Sequence, residues 1–452
     1  MKQRLPVDVV RDELCTRCGA CIDICPQKLI QLDRFSYPSM SGKDIADCSE
    51  CGLCMRACPS SVDFRSLYMK QFGRIPSPQN VTGIVKNIYV GYSTNPDIRH
   101  MGSSGGVVTE LLLFLLEKGY IEQALVCGMK KDNPLETESY LARTKEEIID
   151  SAQSKYVISP HMRLFGDIIR SGKKTAIVGL PCHIHAFRKM ELWRKKKTKN
   201  VKLVIGLACH RAFEKDAIPK LLELENIEQR MVAKFEYRHG DIWPGSACVT
   251  LKNGEKKILA HNIKDAFNYL RIFYSPRRCL TCVDFSAEFS DLTMMDPWIR
   301  DQTGGYPFAK HYTKILTRND NAELILRQAV KAGRLYLKDM LKTMKINQTE
   351  MIELSQLKYF LSLKKRIIPA RIHRYKRLGR PFPEYNVDFP LPTVKERLAE
   401  RFDSMTRLPG KWKWSRDLIM RLVFSNVGVG LMELRKYYKK NKIVLKNRRR
   451  PK

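Results

Sequence analysis

Cys15-Thr-Arg-Cys18-Gly-Ala-Cys21-Ile-Asp-Ile-Cys25-Pro26 and Cys48-Ser-Glu-Cys51-Gly-Leu-Cys54-Met-Arg-Ala-Cys58-Pro59 share one spacing, CxxCxxCxxxCP. In such a run three closely spaced thiolates take three iron corners of one 4Fe-4S cubane. The fourth cysteine, turned away by its proline, ligates the other cubane. The doubled run therefore predicts two 4Fe-4S clusters, one on Cys15, Cys18, Cys21 and Cys58, the other on Cys48, Cys51, Cys54 and Cys25. CxxC pairs also suit tetrahedral zinc. Zinc uses two pairs per site, however, and leaves the fourth cysteine of each run and both prolines without a purpose. Residues 1–70 are read on this basis as an α+β ferredoxin-like module.

The module is a small part of a chain of 452 residues, long enough for two or three domains. With 44% apolar and 28% charged residues the chain has the balance of a folded protein rather than a disordered or membrane-spanning one. The beginning, MKQRLPVDVVRDELC, carries no apolar secretory core, and no apolar run approaches the ~20 residues of a spanning helix. A cytoplasmic protein is expected. Eight of the fourteen cysteines lie in the two runs, a pattern of metal ligation in a reducing compartment rather than of a disulfide scaffold. The net charge of +34 is regional, since residues 341–452 hold 29 Lys and Arg against 9 Asp and Glu.

After a turn-rich stretch, Gly73 to Asn80, apolar β-rich runs alternate with amphipathic segments: strands at 88–92, 124–126, 175–180 and 203–208, helices at 105–118 and 146–152. A strand at 313–317 and a helix at 322–332 close the unit. Such alternation predicts an α/β domain with a partly parallel sheet over 80–340. The remainder, 341–452, reads as a basic, mainly helical extension broken by Pro369, Pro381, Pro383, Pro390, Pro392 and Pro409.

Four of the six other cysteines stand in suggestive places. Cys182 and Cys209 each follow an apolar strand, at the sheet edge where open α/β folds bind ligands, and Cys279-Leu-Thr-Cys282 adds a pair in a loop. Together they can hold a third cubane or a zinc ion; equally, Cys182 and Cys209 can be ordinary buried cysteines. Cys127 and Cys248 sit in apolar strand contexts and read as core. The stretch Gly102-Ser103-Ser104-Gly105-Gly106 opens an apolar helix. Its amides and hydroxyls suit a phosphate, although the pattern is neither GxGxxG nor a Walker loop and also fits a simple turn. Lys155, in Ser154-Lys-Tyr156, is a second cation for such a group or else a solvated lysine. His183 and His185 are proton donors or strand-end residues, and Asp296 caps a turn or faces a cofactor.

Taken in order, Ser103-Ser-Gly-Gly-Val-Val-Thr109, Ser154-Lys-Tyr-Val157, Gly179-Leu-Pro-Cys182, Leu207-Ala-Cys-His210 and Arg278-Cys-Leu-Thr-Cys282 resemble the beta-subunit family of coenzyme F420 hydrogenase and dehydrogenase over residues 10–340. The resemblance implies an FAD-containing α/β domain that exchanges hydride with the deazaflavin coenzyme F420 and relays electrons to 4Fe-4S clusters. It places Ser103, Ser104, Gly105, Gly106 and Lys155 at FAD, and makes Cys182, Cys209, Cys279 and Cys282 ligands of a third cluster. Two departures stand out. The family's Pro-Cys-Gln is Pro-Cys182-His183 here, and its Gly-Asp-x-Trp-Gly is Met295-Asp296-Pro-Trp298-Ile299, which removes two glycines that let a backbone approach a cofactor.

The expected activity is that of an oxidoreductase converting two-electron hydride chemistry into one-electron transfer, with a redox partner protein or a larger oxidoreductase complex as its counterpart. A ferredoxin-dependent flavin reductase of an organic substrate and a non-catalytic electron-transfer subunit are the rivals. Nucleic-acid binding, which basic charge and clustered cysteines also suggest, is the weakest reading. Leu418 to Phe424 and Arg435 to Lys440 read either as a basic helix peripheral to the inner face of a membrane or as a helix packed on the core.

Overall fold

The computed structural model describes residues 3–344 and 367–401, apart from 78–79, 81, 241–242, 260–269, 271–272, 300–305, 309–310, 387–392, 395–396 and 399. The suggested membrane segment of the tail lies outside the described residues. No helix of the described residues is long and apolar enough to cross a membrane.

The centre is an eight-stranded mixed sheet. Its strands are β4 (Asn87–Ser93), β5 (Gln123–Met129), β6 (Thr137–Ala142), β7 (Thr175–Gly179), β8 (Val201–Leu207), β12 (Leu292–Met295), β13 (Thr313–Thr317) and β14 (Leu335–Asp339), in the order β14-β4-β13-β12-β8-β7-β5-β6. The inner four, β12, β8, β7 and β5, run parallel, and every pairing outside them is antiparallel. The partly parallel α/β domain read from the sequence is thus present. Continuous apolar runs such as Thr-Ala-Ile-Val-Gly suit strands covered on both faces.

Alternation along the strands shows what covers each face. Ala124, Val126, Ala176, Leu203 and Ile205 pack with the helices Val107–Glu117 and Asp320–Lys331. Leu125, Ile177 and Val204 point the other way, into a core formed with the helix Pro181–Trp193. That second core also contains Cys18, Ala20, Ile24, Ala57, Val62, Phe64, Leu67 and Tyr68. The cysteine-rich N-terminal segment, with its hairpin β1 (Gln31–Leu32) and β2 (Pro38–Ser39), strand β3 (Ser61–Val62) and helix Phe64–Phe72, therefore shares part of its core with the sheet that it covers.

Two features were not read from the sequence. A three-stranded antiparallel sheet, β9 (Val232–His239), β10 (Ser246–Leu251) and β11 (Lys256–Leu259), packs with the helix Ala217–Leu224 around its own core. The start of the basic extension also folds back onto the N-terminal layer. β15 (Glu384–Tyr385) pairs in parallel with β3, Asn386 N–H donates to Val62 O at 3.2 Å, and buried Arg371 reaches Leu280 O at 2.9 Å and Glu400 at 3.2 Å.

Candidate functional site

Twelve of the fourteen cysteines gather in fours, and all fourteen are free of disulfides. Burial raises the thiols of Cys15, Cys18 and Cys21, Cys18 to about 11, and in each case the next cause is the charge of Cys58. Cys54 is pushed to about 11 by burial, and the thiolates it feels are Cys51, Cys25 and Cys48. Cys182 is raised far by burial, then by Cys18, Cys209, Cys279 and Cys282. Cys15, Cys18 and Cys21 are thus neighbours of Cys58, Cys54 of Cys25, Cys48 and Cys51, and Cys182 of Cys209, Cys279 and Cys282.

Burial first, and neighbouring thiolates second, hold Cys15, Cys18, Cys21, Cys54 and Cys182 protonated, so these thiols need a multivalent cationic core to ionise. A zinc ion or a cubane can supply it, and the two differ in the spacing of their ligands. Tetrahedral zinc with Zn–S near ~2.3 Å draws its sulfurs to about 3.8 Å from one another. Among the described residues no three cysteine sulfurs come within 4.8 Å, whereas a cubane, taking one thiolate per iron, holds its ligands farther apart.

The sets are adjacent in a definite order. The foreign thiolate that weighs most on Cys182 is Cys18, and Cys21 feels Cys54. The third set therefore borders the first and the first borders the second, whose Cys51 is exposed. The helix Pro181–Trp193 fixes this arrangement, because it carries Cys182 in its first turn and Lys189 two turns on. The Lys189 ammonium donates to Cys58 O at 2.6 Å and Ser61 O at 2.5 Å, and burial lowers its pKa against the pull of Cys58 and Cys18. His183 and His185 lie in the same helix and not at a strand end. His183 accepts from Leu180 N–H at 3.2 Å and stacks on His161 at 4.9 Å, and His185 Nε2 lies 2.9 Å from buried Asp284.

The glycine-rich stretch meets the sheet at the carboxyl end of β4 and the start of β13. A Cβ on Gly105 would lie 2.6 Å from Gly91 O and 2.9 Å from Thr313 N, and Gly106 has φ +70 at the helix N-cap, so both glycines are required by packing and backbone shape. Ser103 Oγ accepts from Ser154 N–H at 2.8 Å, and Ser104 hydrogen-bonds Asp296. Asp296 is also held by Arg238 with two contacts of 3.0 Å. Lys155 is no solvated surface group: its ammonium donates to Ser151 O at 2.6 Å, to Ala152 O and to Gln153 O at 3.3 Å, and burial lowers its pKa to about 8. Gln153 holds φ +73, a strained backbone next to these groups. The serines, Asp296 and Lys155 thus converge, though Lys155 spends its donors on carbonyls.

Other participants escaped the sequence reading. Arg238 is one. Trp243 and Tyr306 are others, with ring centroids 4.0 Å (Trp243–Trp298) and 5.7 Å (Trp298–Tyr306) apart around the altered Asp296 loop. Cys127 lies in a polar niche and not a purely apolar one, beside Ser139, Ser159 and the Lys155 charge. Lys314 is 2% exposed in β13, forms no hydrogen bond or ion pair with a described residue, and is lowered to about 8 by burial. Its register partners Val90 and Met295 belong to an apolar core against which Trp298 and Phe308 pack.

A mixed α/β sheet with cysteines gathered in fours points to the class of iron–sulfur proteins. Residues 14–62 match a 4Fe-4S dicluster domain, and residues 88–165 and 172–343, more than half the chain, match the N-terminal and C-terminal models of the coenzyme F420 hydrogenase/dehydrogenase beta subunit. The chain belongs to the coenzyme F420 hydrogenase/dehydrogenase beta-subunit family. It is 27% identical over 304 residues to the coenzyme F420-dependent sulfite reductase of Methanocaldococcus jannaschii, covering 64% of this chain and 43% of that protein. It is 26% identical over 259 residues to the coenzyme F420 hydrogenase subunit beta of Methanothermobacter thermautotrophicus, covering 56% and 84%. In fold it is similar to a chain of the F420-reducing [NiFe] hydrogenase complex of Methanosarcina barkeri, with TM-score 0.53, 20% identity and coverage of 68% and 98%. The chain thus spans less than half of the sulfite reductase and most of the hydrogenase subunit.

Proposed function

We propose that this chain exchanges electrons between a hydride carrier, coenzyme F420 in the first instance, and a redox partner, through FAD and three 4Fe-4S clusters. The observation that carries the reading is the proximity of Cys182 both to Cys209, Cys279 and Cys282 and to Cys18. A bound flavin supplies the interchange of one hydride for two single electrons, and cubanes carry one electron each.

The chain's own residues serve that chemistry by position. Cys182, Cys209, Cys279 and Cys282 hold the inner cluster beneath the sheet edge; Cys15, Cys18, Cys21 and Cys58 hold the next, clamped by Lys189; Cys48, Cys51, Cys54 and Cys25 hold the outer one. Exposed Cys51 marks the face toward a partner. Ser103 and Ser104 offer hydroxyls, and the uncapped helix start at Gly106 offers amides, to the anionic part of FAD. Lys155 orders residues 151–153 behind them.

A second reading is reduction of an organic substrate by the same flavin, with electrons flowing inward from the dicluster domain. It is favoured by the Asp296-Pro297-Trp298 loop, whose aromatic surround with Trp243 and Tyr306 alters the wall of the site. Anaerobic purification with iron, sulfide and released-flavin analysis, followed by mixing with reduced F420, tests both. The first reading predicts about twelve irons, one FAD and prompt bleaching of flavin and cluster absorbance. Full cofactor content without bleaching selects the second. About eight irons without flavin contradicts both.

A further inference from the structure

Away from these cofactor residues, Glu236, His239 and Cys248 aim at a common point, with ligand atoms all within 4.8 Å of one another. They lie on adjacent strands, Cys248 opposite Glu236 and Ser246 opposite His239. Residues three apart on a regular strand face opposite ways. Between Ser246 and Cys248 the register shifts, so that β9 spends three residues where β10 spends two, and this bulge turns Glu236 and His239 to the same face. The cluster is a product of that irregularity and not of ordinary strand alternation.

We propose that Glu236, His239 and Cys248 bind one divalent ion of zinc type through a carboxylate oxygen, an imidazole nitrogen and a thiolate, with water in the fourth position. Three different donors of this kind suit a borderline ion better than a hard one such as Mg²⁺. The Cys248 side chain is fully buried and Glu236 nearly so, while His239 is 30% exposed and leaves a way in. Binding releases the Cys248 thiol proton to solvent, so no oxidant or reductant is required. Lys234, 3.3 Å from Glu236 and 63% exposed, competes for the carboxylate and is free to swing away.

The site has a structural consequence. Gln153 Nε2 donates to Glu236 at 3.4 Å, and the next residue, Ser154, donates its N–H to Ser103. An ion fixed on β9 and β10 therefore steadies the 151–155 segment against the glycine-rich stretch, through a residue that orients a ligand. In the absence of a metal the same groups amount to a Lys234–Glu236–His239 ion-pair cluster, and the test decides between the two.

The full-length holoprotein, dialysed anaerobically after one equivalent of zinc, is analysed for zinc and iron beside Cys248→Ser and His239→Ala. The expected result is zinc near one per chain in the parent, at least tenfold less in both variants, unchanged iron, and a zinc X-ray absorption spectrum with a single sulfur neighbour. Zinc absent from the parent, or retained equally by the variants, overturns the site. Should both variants fail to fold, Lys234→Met keeps every ligand and removes the competitor. It must strengthen zinc retention at least threefold, and unchanged retention counts against the proposal.

Discussion

At the scale of single residues, the buried Lys314 and the half-buried Lys189 have opposite fates. The Lys314 ammonium has no partner among the described residues, and burial holds its pKa near 8 rather than the ordinary 10.5. Below pH 8 both folded and unfolded forms are protonated and the folded form bears the whole desolvation cost. Between about 8 and 10.5 only the unfolded form keeps its proton, so stability rises with pH through that window. Lys314→Met is predicted to be more stable at pH 7 by on the order of 3 kcal/mol, an advantage that thermal melts should show vanishing near pH 10.5. Lys189, by contrast, is fully used. Lys189→Met strands two carbonyls beside Cys58, and we expect a loss of about 1–3 kcal/mol. The first cluster should also become harder to reduce, which anaerobic redox titration reads directly. Neither role was legible in the sequence, where a lysine in a strand or a helix looks like any solvated cation.

Among elements, the glycine-rich stretch shows both the reach and the limit of sequence reading. Small residues before an apolar helix were visible as a possible phosphate site. That Gly105 is fixed by Gly91 O and Thr313 N depends on strands β4 and β13 meeting, which no local pattern encodes. Gly105→Ala should therefore cost about 1–3 kcal/mol through backbone displacement and lower the flavin released per chain, while the iron count stays unchanged. Five of the eight sheet strands, β4, β5, β7, β8 and β13, were legible because they are short apolar runs, whereas β6, β12 and β14 were not read. The β9–β11 sheet was not read, although Phe235 and Tyr237 alternate with Lys234, Glu236 and Arg238 as a half-buried strand should; what no local pattern shows is the bulge that shifts its register. The helix Pro181–Trp193 was missed because its first turn reads as the end of a strand, and His183 and His185 were misplaced with it.

Over the whole molecule, the cysteine spacing announced the dicluster domain plainly, because cluster geometry is written into consecutive residues. What spacing left open was where the last four cysteines go. Cys182, Cys209, Cys279 and Cys282 come from three separate stretches and meet only when the parallel strands β7 and β8 lie side by side. The N-terminal layer shares one core with the sheet, and the segment ending in β15 straps it down. This makes the cluster order a property of the fold and not of a tethered module. The central claim is that Cys182, Cys209, Cys279 and Cys282 hold a third cluster next to the first. Electron paramagnetic resonance of the fully reduced protein, wild type beside Cys209→Ser, tests it most directly. The account predicts that the variant loses about a third of the cluster spin together with the interaction broadening of the first cluster. An unchanged spectrum would contradict it.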